Sequence, residues 1–193
     1  MKKLLTKATK MKTILRKKNK NQLIKVTDDT FTKFEYETII STMTEMVDNN
    51  VSTLSTKHWP QELVNEAGGY SDVYAVYQDE ILKILADKCM SVIGSSSNYE
   101  LYSAMYYEGH GQSGLNWHTD RAYSASASFY LNDDWDDNYG GYFSFRMEGG
   151  DKLATILRPD LGIAVFQKGK INHAVTQTRH DAPMRKSLQV FIK

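Results

Sequence analysis

From Tyr99 onward the sequence divides into eight short segments that are rich in β-branched and aromatic residues and are separated by glycines or other turn residues. We predict that each segment is a β-strand. The predicted strands lie near 99–107, 115–120, 124–132, 142–147, 153–157, 162–167, 171–177 and 185–192. Eight short strands of this kind favour a mainly β fold with a double-sheet core of the jelly-roll or cupin type.

Two amphipathic segments precede these strands. Thr30 or Thr32 could cap a first helix that runs to about residue 48, because apolar residues recur there near helical spacing. In the second segment a longer apolar stripe begins after Ser71 and Asp72, which offer N-caps, and ends before Gly94. We therefore expect helices within about 30–93 to pack outside a β core that spans about 99–192.

Charge is distributed unevenly along the chain. The first 27 residues hold ten lysines and arginines and no acidic residue, whereas the remainder holds 14 basic and 23 acidic residues. We interpret residues 1–27 as a basic N-terminal arm, partly disordered, and 28–193 as a single domain. An acidic body argues against binding of a nucleic-acid backbone as the main function, since that requires a basic surface.

Composition also bears on the cellular compartment. Cys89 is the single cysteine, so an internal disulfide framework is excluded and a cytoplasmic location is favoured. No apolar run approaches the length of about 20 residues that a membrane-spanning helix needs. The basic arm could instead be a targeting segment, although it lacks the continuous apolar region of a secretory signal.

The motif "NWHTD" suggests a metal site. His118 and Asp120 are two residues apart in a predicted strand, so their side chains should project from the same face. His173, on a later predicted strand, would complete a set of two histidines and one carboxylate. Three such ligands hold Fe(II) on one side and leave three coordination positions open for a chelating co-substrate and dioxygen.

Five motifs follow one another in the second half of the chain: "HTD", "FYLNDDW", "GGYFSF", "RPDLGIAVFQKGKINHAV" and "RKSLQVF". In these motifs the chain resembles the non-haem Fe(II)/2-oxoglutarate dioxygenases, most closely their prolyl 4-hydroxylase-like branch. The resemblance covers about residues 99 to 192. It implies a double-stranded β-helix core and His118, Asp120 and His173 as iron ligands. It further implies Fe(II) and 2-oxoglutarate as cofactor and co-substrate, with ascorbate supporting activity.

The resemblance also implies that Arg185, which opens the last predicted strand, binds the distal carboxylate of 2-oxoglutarate. Arginine suits this role because its planar guanidinium stays charged and can donate two hydrogen bonds to one carboxylate. Arg179 and Lys186 are alternatives, since Arg185 lies slightly further beyond His173 than in many relatives. Strand alternation favours Arg185, which shares a face with Ser187 in the family's R-x-S arrangement, whereas Lys186 would point away.

In the predicted strand 124–132, alternation places Ser124, Ser126, Ser128 and Tyr130 on one polar face. We expect this face to line the cavity, with the small serines leaving room for co-substrate and substrate. The resemblance implies that Tyr130 shares the distal carboxylate with the arginine. It implies that Tyr107 lies near the other end of 2-oxoglutarate, with the adjacent Tyr106 as the alternative.

The implied reaction is hydroxylation of an unactivated C–H bond with release of succinate and CO₂. A prolyl residue in a peptide or protein is the leading substrate, and a free amino acid or small metabolite is the alternative. An AlkB-like nucleic-acid demethylase and a non-enzymatic metal-binding cupin are further alternatives. His110, in a glycine-rich loop at the predicted mouth of the site, is a candidate substrate contact.

Overall fold

The computed structural model describes residues 11–19, 21–49, 53–64, 69–94, 100–147 and 154–193. These parts contain two α-helices, α1 (Lys33–Asp48) and α2 (Asp79–Ile93). They also contain twelve strands: β1 (Lys12–Asn19), β2 (Gln22–Asp28), β3 (Thr53–Ser55), β4 (Ser71–Ala75), β5 (Leu101–Gly109), β6 (Leu115–His118), β7 (Ala125–Tyr130), β8 (Phe143–Arg146), β9 (Thr155–Leu157), β10 (Ala164–Lys168), β11 (Asn172–Val175) and β12 (Arg185–Ile192).

The strands form two sheets. The larger has the order β1-β2-β10-β7-β12-β5-β4-β3, and the smaller has the order β6-β11-β8-β9. From β5 to β12 the chain passes repeatedly between the two sheets, and neighbouring strands pair antiparallel. This arrangement is typical of a jelly roll. The prediction of a mainly β fold with a double-sheet core and flanking helices is confirmed.

The larger sheet separates two hydrophobic cores. On one face the two helices pack against alternate residues of the central strands, including Phe129 and Leu188. On the other face the larger sheet meets the smaller one, and there Tyr130, Phe143 and Phe145 are buried together. Because alternate residues of a strand project from opposite faces, the face of β7 that carries Tyr130 points toward the smaller sheet.

The first helix begins where one of the two candidate caps predicts. Thr32 Oγ1 accepts a hydrogen bond from the Glu35 backbone N–H, and Glu35 Oε2 accepts one from the Thr32 backbone N–H. This reciprocal pair is a capping box. Thr30, the other candidate, donates its hydroxyl hydrogen to the Gly162 carbonyl instead.

The predicted start of the second helix at Ser71 is wrong. Residues Ser71–Ala75 form β4, which pairs with β5 and places Val73 opposite Tyr107, and the helix begins only at Asp79. Val73 and Tyr74 are both buried although they face opposite sides of the sheet. A strand buried on both faces presents a continuous apolar run, and such a run fits a helical stripe equally well.

Within the predicted basic arm, the described residues form the strands Lys12–Asn19 and Gln22–Asp28. Strands β1 and β2 form a hairpin, and β2 pairs with β10 inside the larger sheet. Ile24 and Val26 are fully buried between the sheets, while Lys25 between them points to the other face. The average charge of the segment obscured this two-residue alternation. The hairpin therefore belongs to the domain, and residues 1–10 lie outside the described parts.

The eight predicted strands of the second half all appear, as β5 to β12, with ends that differ by up to two residues. Residues 99 and 153, which the prediction included, lie outside the described residues. No helix among the described residues is both long and apolar enough to cross a membrane.

Candidate metal centre

The three predicted metal ligands lie together between the two sheets. His118 ends β6 and is paired directly with His173 on β11, and Asp120 follows His118 by two residues. One potential ligand atom from each residue lies within 4.8 Å of the others. Asp120 Oδ1 is 3.9 Å from His118 Nε2, and Asp120 Oδ2 is 3.7 Å from His173 Nε2. The three side chains thus have donor atoms of the types and the proximity that a divalent metal requires.

Backbone carbonyls orient both imidazoles. His118 Nδ1 lies 2.7 Å from the Asn116 carbonyl oxygen, and His173 Nδ1 lies 3.0 Å from that of Ile171. A carbonyl can only accept, so each Nδ1 carries a hydrogen and donates it, which leaves Nε2 free to bind a metal. Phe143 supports the arrangement by stacking on the His173 ring at 5.4 Å between centroids.

Burial also favours the metal-binding protonation state of His173. The side chain is 6% exposed, and removal from water lowers its pKa below the ordinary value. The nearby Asp120 carboxylate acts in the opposite direction, and His118 acts in the same direction as burial. The net lowering keeps the ring neutral at neutral pH, and only a neutral imidazole offers a lone pair at Nε2.

Asp120 is oriented by side chains and not by a strand, because β6 ends at His118 and the predicted continuation to residue 120 is wrong. Asp120 Oδ2 accepts a hydrogen bond from Ser126 Oγ at 3.1 Å and one from Gln167 Nε2 at 3.3 Å. Gln167 Nε2 also donates to Ser126 Oγ at 2.7 Å. Gln167 was not among the predicted site residues, although alternation along 162–167 places it on the same face as Val165.

A row of polar side chains leads from this cluster along the inward face of the larger sheet. Ser126, Ser128 and Tyr130 alternate on β7 as predicted. Across the β7–β12 pair, Ser128 lies opposite Gln189 and Tyr130 lies opposite Ser187. The serines occupy little volume. The row of polar groups extends from Asp120 to the first residues of β12.

Arg185 ends this row and is 7% exposed. Its Nε donates to the Gly141 carbonyl at 2.8 Å, its Nη1 lies 3.5 Å from Ser187 Oγ, and its guanidinium carbon is 5.2 Å from the Tyr130 ring centroid. Among the described residues no carboxylate forms an ion pair with Arg185. Burial lowers the pKa of the guanidinium, and the Tyr130 hydroxyl acts against that lowering.

The Tyr130 hydroxyl is the second unpaired group at this end. It is buried and has no hydrogen-bond partner in the described part of the chain. Burial raises the pKa of Tyr130 to about 12, against the opposing charge of Arg185, so the hydroxyl stays protonated and can donate. A buried cation without an anion and a buried hydroxyl without an acceptor are each costly, and a carboxylate between them would satisfy both.

The structure separates the alternatives for Arg185. Arg179 is half exposed and its Nη2 lies 2.7 Å from Asp181 Oδ2, so its charge is already paired at the surface. Lys186 alternates with Arg185 on β12 and lies opposite Glu108, on the face turned away from the smaller sheet. Arg185 is therefore the one of the three whose side chain lies on the inward face.

The two adjacent tyrosines also lie on different faces of β5. Tyr107 lies opposite Ser187 on the inward face, and its pKa is raised by burial and by the charge of Asp120. Tyr106 packs in the helix-side core and donates to Glu108 Oε1 at 3.0 Å. Only Tyr107 of the pair is in position to contact a ligand between the sheets.

His110 does not join the metal cluster. Its Nε2 lies 2.7 Å from Asp72 Oδ2, and its ring stacks on Tyr70 with centroids 4.4 Å apart. Both ring contacts are with residues that precede β5 in the sequence. The structure therefore assigns the His110 side chain to a local pair beside the start of β4.

Comparison with known proteins identifies a family similar to the second half of the chain. Residues 102–193 match the family model described as the 2OG-Fe(II) oxygenase superfamily. No curated protein sequence gives a significant match. The range 102–193 includes the three candidate metal ligands as well as Tyr130 and Arg185.

Solved structures of low sequence identity share the fold. A prolyl-4-hydroxylase from Pseudomonas putida is 15% identical, with a TM-score of 0.67 over 88% of this chain and 91% of that chain. A prolyl hydroxylase from Trichoplax adhaerens, in complex with a hypoxia-inducible-factor peptide, is 14% identical, with a TM-score of 0.67 over 88% and 82%. HygX from Streptomyces hygroscopicus, with nickel and 2-oxoglutarate bound, is 12% identical, with a TM-score of 0.61 over 88% and 82%.

Proposed function

Residues 102–193 of the chain belong to the 2OG-Fe(II) oxygenase superfamily, whose members use Fe(II) and 2-oxoglutarate, and from that membership we propose that the protein hydroxylates a prolyl residue of a peptide or protein. In this reaction one atom of dioxygen enters a C–H bond of the substrate as hydroxyl. The other atom enters 2-oxoglutarate, which loses CO₂ and becomes succinate. The bound iron supplies the oxidising chemistry, and the protein binds and orients the reactants.

His118, Asp120 and His173 would hold the iron. Their proximity, the Nδ1–H bonds that direct both Nε2 atoms and the neutral form of His173 support this assignment. Two imidazoles and one carboxylate are the ligand set of non-haem Fe(II) oxygenases. With three protein ligands on a six-coordinate metal, two positions remain for the 2-oxo acid and one for dioxygen.

The observation that carries the proposal is the buried, unpaired Arg185 at the other end of the polar row. We assign the distal carboxylate of 2-oxoglutarate to Arg185 and to the Tyr130 hydroxyl, with Ser187 beside them. The Tyr107 hydroxyl would donate to 2-oxoglutarate nearer the metal. Among the described residues, the Tyr107 hydroxyl donates only to the Met105 sulfur, a weak acceptor, at 3.5 Å.

The prolyl substrate is supported by the names of structural relatives. Proteins named prolyl hydroxylases reach TM-scores of 0.67, and one of them is bound to a peptide. A small-molecule substrate is the second candidate, because HygX is also known with hygromycin B bound and the epimerase SnoN reaches a TM-score of 0.66. In either case Ser126, Ser128 and His110 are the candidate substrate-side residues.

Turnover assays would test the proposal. The Fe(II)-loaded protein is incubated with 2-oxoglutarate and, separately, proline-rich peptides, free amino acids, an aminoglycoside and a methylated oligonucleotide, and succinate release and product mass are measured. We expect peptide-stimulated succinate release and a peptide that is one oxygen atom heavier at proline. The Asp120→Ala variant is the control for adventitious iron chemistry. Oxidation of a small molecule or demethylation of the oligonucleotide, with unmodified peptides, would contradict the prolyl assignment.

A further inference from the structure

We propose that Gln167 and Ser126 are positioning residues that hold Asp120 as a one-oxygen ligand, so that the metal binds Oδ1 and keeps a coordination position open. This inference rests on the proposed function, because it presumes a metal at His118, Asp120 and His173. Gln167 and Ser126 are not themselves among the three candidate metal ligands.

The hydrogen bonds form a closed triangle on one oxygen of the carboxylate. Ser126 Oγ and Gln167 Nε2 both donate to Asp120 Oδ2, at 3.1 and 3.3 Å, and Gln167 Nε2 donates its other hydrogen to Ser126 Oγ at 2.7 Å. Every donor of the two side chains is thereby used. Asp120 Oδ1 accepts no hydrogen bond from the described residues, so it is the oxygen left for a metal.

Asp120 needs such support because the sheet does not constrain it. The residue follows the end of β6, and its carbonyl accepts a hydrogen bond from the Tyr123 N–H at 3.2 Å in a turn. Gln167 and Ser126, in contrast, are directly paired on the adjacent central strands β10 and β7 and are 6% and 5% exposed. Two buried residues of the larger sheet thus fix the orientation of the Asp120 carboxylate, which lies just beyond the end of a strand of the smaller sheet.

The orientation of the Gln167 amide supports the inference. Its Oε1 is buried and has no partner among the described residues. The reversed amide would direct Oε1 at the Asp120 carboxylate and replace an attraction by a repulsion. Leaving a buried carbonyl unpaired is unfavourable. The amide therefore satisfies Asp120 at the expense of its own acceptor, as expected if the position of the carboxylate matters.

The number of coordination positions explains why one oxygen is required. Two histidines, one carboxylate oxygen, a chelating 2-oxo acid and dioxygen together fill the six positions of octahedral Fe(II). A carboxylate that bound through both oxygens would occupy the position that dioxygen needs. By occupying Oδ2, the two donors keep Asp120 from turning into that position.

The experiment compares metal binding by the full chain and four variants. Gln167→Leu removes both donors at similar volume, with Gln61→Leu at an exposed position as its control. Ser126→Ala removes one donor, with Ser124→Ala at an exposed position as its control. Mn(II) and Co(II) dissociation constants are measured on metal-free protein by calorimetry, the Co(II) absorption spectrum is recorded, and thermal unfolding checks that each variant folds.

We expect the metal affinity of Gln167→Leu to fall about 10- to 100-fold, the usual effect of removing a partner of a metal ligand. Ser126→Ala should weaken binding in the same direction, both controls should bind as the original chain does, and the Co(II) spectra of the two test variants should change. A crystal structure of the Mn(II)-loaded original chain should show Asp120 bound through Oδ1 alone.

Three results would overturn the inference. They are unchanged affinity in both test variants, an Asp120 bound through both oxygens in the Mn(II)-loaded chain, or a metal bound to Oδ2. If Gln167→Leu does not fold, Ser126→Ala decides the question, since it removes only a hydroxyl. Failure of the original chain to bind Mn(II) or Co(II) would overturn the proposed metal centre itself, and is thereby distinguished from failure of this inference alone.

Discussion

Gly141 contacts Arg185 in two ways. The Gly141 carbonyl accepts a hydrogen bond from Arg185 Nε at 2.8 Å, and the Gly141 Cα lies so close to the Arg185 side chain that no side chain would fit on Gly141. A Cβ atom at Gly141 would lie 2.9 Å from Arg185 Cδ and 2.9 Å from Thr178 Cγ2. The backbone of Gly141 also has a φ of +68°, which favours glycine. The backbone turn at Gly141 thus positions the Arg185 guanidinium at the end of the polar row.

Gly141→Ala should therefore raise the KM for 2-oxoglutarate, on the order of 10- to 100-fold, because a displaced guanidinium misplaces its carboxylate. Gly94→Ala is the matched control, since Gly94 also has a positive φ but has nothing within 4 Å of an added Cβ. Steady-state kinetics on both variants would separate the effect of contact with Arg185 from the effect of backbone strain at a positive φ. Equal KM values for the two variants would show that backbone strain, and not contact with Arg185, matters.

Arg185→Ala should weaken binding of 2-oxoglutarate by roughly two to four orders of magnitude. Breaking a buried charge pair from one side costs on the order of 3–5 kcal/mol, and each factor of ten corresponds to about 1.4 kcal/mol. Metal binding should survive. Lys186→Ala and Arg179→Ala, on the outer face and at the surface, serve as controls. The affinity for 2-oxoglutarate would be measured by titrating it into the anaerobic Fe(II) proteins and following the charge-transfer absorption. Loss in Arg179→Ala with retention in Arg185→Ala would contradict the assignment.

His118→Ala and Asp120→Ala should each abolish tight Fe(II) binding while leaving the fold intact. Each removes one of three ligands from a site where the other two cannot hold the metal alone. His110→Ala is the control, because His110 pairs with Asp72 and not with the cluster. Calorimetric titration with Mn(II), and circular dichroism for the fold, would check the prediction. Normal affinity in either ligand variant would mean that the metal binds elsewhere.

The basic hairpin should contribute to stability through its buried face. Ile24→Ala should lower the free energy of unfolding by about 2–5 kcal/mol, because Ile24 is fully buried between the sheets. Ile14→Ala removes the same atoms from a side chain that is 47% exposed on β1, and should change stability by at most about 0.5 kcal/mol. Chemical denaturation would give both values. A similar loss for both would indicate that the hairpin packs differently.

Stability should fall in acid partly through Glu35. Burial raises the pKa of Glu35. Hydrogen bonds from Lys88 Nζ and from the Thr32 N–H, together with the Lys88 charge, lower this pKa by a larger amount, so the net shift is downward. A carboxyl whose pKa is lower in the folded state stabilises the protein above its unfolded pKa, here about 4.5, and that contribution is lost as the pH falls. Glu35→Gln should therefore show a smaller decrease in the free energy of unfolding between pH 6 and about pH 3, measured by urea denaturation. An identical decrease would contradict the role of Glu35.

The candidate metal ligands and the strands of the second half were predictable because their signals are local. His118 and Asp120 stand two residues apart, and the strands β5 to β12 are separated by glycines and turns that can be recognised in the sequence. Tyr130 and Arg185 followed from motif order and alternation. Alternation and turns need only a few neighbouring residues, whereas the motif order extends over about residues 99 to 192.

The failures concern residues whose structure depends on distant partners. Ser71–Ala75 is a strand because β5 is available to pair with it, and the hairpin is ordered because β10 accepts β2. Gln167 became visible only when pairing with Ser126 placed it against Asp120. Alternation in the sequence can place Ile24 or Gln167 on one face of a strand, but only strand pairing decides what that face meets.

The two ends of the proposed co-substrate site belong to different layers of the fold. Two of the candidate metal ligands lie on the smaller sheet, whereas Arg185 and Tyr130 lie on the larger. The distance between a metal and the guanidinium therefore depends on the packing of the two sheets, to which buried side chains such as Phe145 and Val165 contribute, and on the length of the polar row along β7. Because packed interiors resist compression, we expect this distance to favour one chain length of the 2-oxo diacid, and oxaloacetate and 2-oxoadipate differ from 2-oxoglutarate in that length.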